Sequence, residues 1–86
     1  MYTRKVIQSI MRRWKEESKI EHIILYRLHR STNEYTDAKL TLTICTDRPG
    51  LMIGYLGNRV EKYRKKISDV VKENVYIEFV ETDNLV

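Results

Sequence analysis

The run Arg48-Pro49-Gly50-Leu51-Met52-Ile53-Gly54-Tyr55-Leu56-Gly57-Asn58-Arg59-Val60 holds the residues best placed to do chemistry, and that chemistry is the binding of an anion. Two glycines three apart interrupt what is otherwise one helical pattern from Leu51 to Val71. Glycine costs about 1 kcal/mol against alanine within a helix, so the pair marks a break. Asn58 is suited to cap the helix that follows, with Glu61 as the reciprocal member of a capping box. A helix N-terminus presents unpaired N–H groups and the positive end of a dipole, which favours a phosphate. Glycines let a sugar-phosphate chain come close to the backbone. Arg48 and Arg59 are the nearest cations, with Lys62 next along the helix.

Other chemistry finds little support. There is no readable Ser/His/Asp, Cys/His or paired-carboxylate arrangement. Asp47 and Glu61 flank the glycines, and capping roles account for both. His22 and His29 have no acidic or thiol neighbour at ligand spacing, and Cys45 is the only cysteine. Neither a disulfide framework nor a cysteine-based metal site can be built from it. No enzyme activity, metal or cofactor is expected.

Eighty-six residues, 42% hydrophobic and 33% charged, bound the chain to one globular domain over 1–86. Its last residues, 81–86, read as a frayed acidic tail. No apolar run approaches the ~20 residues that cross a bilayer, so a cytoplasmic location is expected, without a membrane partner. The net charge of +4 hides an asymmetry. Residues 2–19 and 58–72 each carry six bases and two acids, whereas 73–86 carry four acids and no base. Positive charge concentrated on two predicted helices is the footprint of a polyanion binder.

The elements that must position the glycines follow from periodicity. Thr3 is a plausible cap for a helix reaching Ser18, with Val6, Ile7, Ile10, Met11 and Trp14 as its apolar face. Trp14 continues that stripe and reads as a core anchor. Glu21 to Arg30 is rich in β-formers and predicts a strand. The polar segment 31–37 is a loop, from which Tyr35 could stack on a base. Lys39 to Cys45 alternates as a half-buried strand. Thr46 or Asp47 then caps a short helix with Pro49 in its first turn. Val60, Tyr63, Ile67, Val70 and Val71 stripe a helix from about Asn58 to Lys72, closed by Asn74, and Val75 to Val80 is the last strand.

Ile53-Gly54-Tyr55-Leu56-Gly57-Asn58-Arg59-Val60 resembles the I-G-x-x-G-x-x-[I/V] signature of the KH domain. The longer run from Arg48-Pro49-Gly50 through Val60-Glu61-Lys62-Tyr63-Arg64-Lys65-Lys66-Ile67 looks most like the KH domain of bacterial small-subunit ribosomal protein S3. The order α-β-β-α-α-β matches the type II KH arrangement: an α+β fold with helices on one face of a three-stranded mixed sheet. The resemblance implies a loop that clamps the backbone of single-stranded RNA, and DNA as a related ligand. Gly54 and Gly57 would admit that backbone. Ile53 and Val60, with Ile44 on the adjoining strand, would form the apolar groove. Tyr55 and Leu56 between the glycines carry no charge. Tyr55 suits base stacking or a hydroxyl–phosphate contact, while an exposed Leu56 suits a protein or ribonucleoprotein partner, or homodimerisation. The chain ends after the last strand, where the ribosomal protein continues, so a stand-alone KH domain is expected.

Overall fold

The computed structural model describes residues 2–32 and 36–82. Tyr35 and residues 83–86 lie outside this range. The elements run α1 (Tyr2–Glu17), β1 (Leu25–Arg30), β2 (Leu40–Thr46), α2 (Pro49–Ile53), a 3-10 turn (Tyr55–Gly57), α3 (Asn58–Val71) and β3 (Val75–Glu81). This is the α-β-β-α-α-β order expected from the sequence.

Ile7, Met11 and Trp14 of α1, with Ser18 just beyond its end, are buried, three to four residues apart, and mark the line that meets the sheet. The stripe is narrower than periodicity predicts, because Val6 is exposed. Thr3 falls inside the helix rather than at its cap. Lys19 ends the helix in a left-handed conformation, φ 56°, and turns the chain toward β1.

The sheet has the order β1-β2-β3. β1 and β2 are antiparallel, with Leu25 opposite Cys45 and Arg30 opposite Leu40. β2 and β3 are parallel, with Leu40 opposite Val75 and Thr46 opposite Glu81. A parallel pair needs a crossover, which α2, the turn and α3 supply. β1 starts four residues later than its β-forming composition suggests, since only Leu25 onward has a partner in β2. β3 runs through Glu81, so that residue belongs to the ladder with Thr46 rather than to a frayed tail.

Alternation decides which side of the sheet is covered. Tyr26 and Leu28 of β1, Leu42 and Ile44 of β2, and Ile77 and Phe79 of β3 are cross-strand neighbours that pack in the core. With Trp14, Met52, Tyr63, Ile67 and Val75 they fill the space between sheet and helices. Trp14 has no exposed surface. Its ring stacks on Tyr63 at 5.3 Å between centroids and meets Phe79 edge-on at 6.1 Å. Its Nε1–H donates to the Met52 carbonyl at 2.9 Å. One side chain thereby ties α1 to α2, α3 and β3.

Candidate nucleic-acid interface

The glycine loop is held at both ends. On its α2 side, Met52 is completely buried, and Gly54 N–H closes the helix on the Gly50 carbonyl at 3.0 Å. Arg48, rather than Thr46 or Asp47, occupies the N-cap position of α2, without a side-chain cap bond. The Thr46 hydroxyl instead accepts from Arg48 N–H at 3.1 Å. Asp47 is turned away to His22, whose Nδ1 contacts its carboxylate. The acidic partner that sequence spacing denied to His22 thus comes from 25 residues away.

Gly54 has φ 78° and ψ −179°, and Gly57 has φ 75° and ψ 12°. Between them Leu56 adopts φ 53°, the left-handed region that costs a non-glycine residue about 1 kcal/mol. Leu56 therefore follows a path that strains most side chains, and the loop tip stands clear of the body. Tyr55 is 79% exposed and Leu56 87%.

At the head of α3 the sequence expectation is corrected. Gly57 is the N-cap, and no side chain caps the helix. Asn58 is already helical at φ −66°, so it cannot serve as the cap. Glu61 accepts from Arg64 Nε at 3.0 Å instead of reaching back. The N-terminus of this 14-residue helix therefore meets the loop without a side-chain acceptor of its own.

The predicted site residues separate into four groups. Gly54, Tyr55, Leu56, Gly57 and exposed Asn58 form one continuous surface, with exposed Arg48 at its α2 side. Ile53 and Val60 are half-buried beneath it. Ile44 has no exposed surface, so it belongs to the core and offers nothing to a ligand. The two predicted site cations on α3, Arg59 and Lys62, are already engaged. Arg59 donates from one terminal nitrogen to the Leu51 carbonyl at 2.6 Å, and its Nε lies 3.3 Å from a Glu17 carboxylate oxygen. Lys62 Nζ donates to the other Glu17 oxygen at 2.7 Å. Tyr63 Oη–H donates to that same oxygen at 2.8 Å.

Glu17 is the residue sequence reasoning missed. It lies more than 40 positions from its three donors, so no local pattern announces it. The hydrogen bond from Lys62, then that from Tyr63, holds its carboxyl below the ordinary value of 4.5. Burial, then the neighbouring Glu17 carboxylate, pushes the Tyr63 hydroxyl up to about 12. Asp47 is lowered by His22, and Glu61 by Arg64. A carboxyl whose pKa is lowered by folding stabilises the protein above its unfolded value and loses that contribution as pH falls through the folded one. Thermal stability is therefore expected to decline on acidification below about pH 4.5, the ordinary value for glutamate. Melting curves of Glu17→Gln should show a shallower acid dependence than wild type; identical dependences would remove Glu17 from this account.

Among the described residues, no group of three His, Cys, Asp or Glu side chains could hold a metal ion, and no helix is long and apolar enough to cross a membrane.

No family model matches the chain. Curated relatives do. Small ribosomal subunit protein uS3 of Azorhizobium caulinodans is 31% identical over 77 residues, which is 90% of this chain and 27% of the relative. The uS3 of Rhodopseudomonas palustris strain BisA53 is 31% identical over 75 residues, covering 87% of this chain and 29% of the relative. That of Bradyrhizobium sp. strain ORS 278 is 29% identical over 75 residues, with 87% and 28% covered. The chain thus spans little more than a quarter of the length of the relatives it matches. Most of its length is similar to the KH domain of uS3, and its α-β-β-α-α-β order with a mixed three-stranded sheet fits a type II KH domain.

Proposed function

We propose that this protein is a non-enzymatic binder of single-stranded RNA, and also of DNA, acting through a KH domain in the cytoplasm and in association with ribonucleoprotein. The observation that carries this reading is the loop itself. Two glycines at positive φ deliver the chain to a helix N-terminus that lacks a side-chain cap, with Arg48 exposed beside them. Backbone N–H groups and the helix dipole then take the place of a basic loop side chain as the phosphate-binding element. The similarity to a ribosomal protein supports RNA as the polyanion. Base recognition falls to Tyr55 by stacking, over the apolar floor of Ile53 and Val60.

A second reading has its own observation. Leu56 is the most exposed large hydrophobic among the described residues, and it is held at a loop tip in a costly conformation. An apolar tip of this kind fits contact with a protein, which would make the domain an adaptor or inhibitor of a ribonucleoprotein.

Fluorescence anisotropy with a randomised short single-stranded RNA, and its DNA counterpart, separates the two. The comparison is a Tyr55→Asp/Leu56→Asp variant with an unchanged circular dichroism spectrum. Wild type is expected to bind in the micromolar range, and the variant at least about tenfold more weakly, the loss of roughly one stacked base. Salt-sensitive binding that the variant leaves intact would reduce the activity to a non-specific basic helix. Absence of wild-type binding would favour the protein partner.

A further inference from the structure

The anionic end of Glu17 sits where three donors converge. Lys62 Nζ and Tyr63 Oη address one oxygen, and Arg59 Nε addresses the other. Each of the three donors is supplied by α3, whereas the acid is the last residue of α1. The same crevice of about 450 Å³ between α1 and α3 is also lined by one further acid, Glu16, and by Arg13 and Lys66, both exposed and, among the described residues, in no ion pair. Lys62 and Lys66 also lie 5.1 and 5.3 Å from the Tyr63 ring centroid, which keeps both ammonium groups at the crevice wall.

This donor set is the one a phosphodiester would choose. A carboxylate and a phosphodiester both carry one negative charge spread over two oxygens, and both accept from guanidinium and ammonium groups. The crevice is also continuous with the glycine loop through Arg59. Its Cβ packs so closely beneath Gly54 that a methyl group there would meet it at 2.7 Å. The Glu17 side chain is 39% exposed and ends a helix, so it can swing into solvent when a stronger anion arrives.

We propose that the α1–α3 crevice is a second phosphate-backbone site, continuing the track from the glycine loop, and that Glu17 occupies it in the free protein as an internal competitor. Nucleic acid then displaces Glu17 from Arg59, Lys62 and Tyr63 and gains Arg13 and Lys66. Glu17 sets the affinity by determining how many cations are free before binding. The proposal rests on the RNA-binding reading given above.

The test is anisotropy with a labelled uridine dodecamer at about 50 and 200 mM salt, the range over which phosphate contacts reveal themselves. Glu17→Gln keeps a hydrogen-bonding side chain but removes the competing charge. It should bind about fivefold more tightly at low salt, the weight of an exposed ion pair. Its log K against log salt should be steeper by roughly 0.7 for each phosphate gained. Lys66→Gln, at an exposed position, should bind about two- to threefold more weakly with a slope shallower by roughly 0.7; it carries the test if Glu17→Gln folds poorly. A Glu17 that serves only as a brace would leave the salt slope unmoved and weaken binding on substitution, and that result overturns the proposal. So does either variant matching wild type in both affinity and slope. If the Tyr55→Asp/Leu56→Asp variant loses binding while Glu17→Gln and Lys66→Gln match wild type, the loop reading survives and the crevice falls. If wild type and Glu17→Gln both fail to bind the dodecamer, both readings fall.

Discussion

Trp14→Ala is expected to destabilise the protein by about 3–5 kcal/mol, as large aromatic truncations in cores do. Whole domains of this kind are held by only about 5–15 kcal/mol, so a substantial unfolded population should follow. The side chain is fully enclosed and touches α2, α3 and β3 through one hydrogen bond, one stack and one edge contact. Removing it opens a cavity where three helices and the sheet converge. Trp14→Phe divides the effect. It keeps most of the apolar volume but leaves the Met52 carbonyl without its donor, at a cost of about 1–3 kcal/mol. Met52 lies two residues before Gly54, so this variant should also loosen the loop and weaken RNA binding while remaining folded. Urea unfolding followed by far-ultraviolet circular dichroism gives both values without relying on the lost indole fluorescence. A cost for Trp14→Ala near that of Trp14→Phe would mean that the site collapses around the smaller residue and that packing is not what matters there.

Gly54→Ala and Gly57→Ala should differ sharply, although the two glycines look equivalent in the sequence. A methyl group on Gly54 would lie 2.6 Å from Asn58 Oδ1, 2.7 Å from Arg59 Cβ and 3.1 Å from Arg59 N. The Asn58 side chain can move away, but Arg59 Cβ and N are fixed to the frame of α3. The φ of 78° with ψ near 180° belongs to a region that is essentially glycine's alone. Strain and overpacking together should cost about 3 kcal/mol and push the loop away from α3. At Gly57 the nearest atom to such a methyl is Val60 Cγ1 at 3.9 Å, which is ordinary contact. Only the left-handed backbone penalty of about 1 kcal/mol remains. RNA affinity should fall more than about tenfold for Gly54→Ala, equal to losing 1.4 kcal/mol or more, and only slightly for Gly57→Ala. Equal losses for both would mean that the loop needs glycine flexibility in general rather than the close seat of Gly54 on Arg59.

Much of the geometry of the candidate loop was readable in advance because its signal is local. The two glycines, the proline that opens α2 and the basic residues of α3 lie within one stretch, and backbone conformation there follows from residue type. Capping was misread at α3 for a reason that is also local. Asn58 and Glu61 have the capping-box spacing, but left-handed Gly57 carries the chain into the helix one residue earlier, so Asn58 is already in the first turn. The availability of the cations was not readable at all. Arg59 and Lys62 look free along the sequence, and only the return of α1 across α3 brings Glu17 onto them.

Amino-acid order by itself determined the elements, the apolar stripe through Met11 and Trp14, the alternation of Leu40, Leu42 and Ile44, and the glycine break, since each depends on neighbours within a turn or a strand. Tertiary structure alone decided that Ile44 is sealed in the core, that Val6 is exposed, that His22 pairs with Asp47 and that Glu17 holds the α3 cations. Burial and charge pairing depend on which elements come to lie side by side, and that is fixed only when the whole chain closes around Trp14.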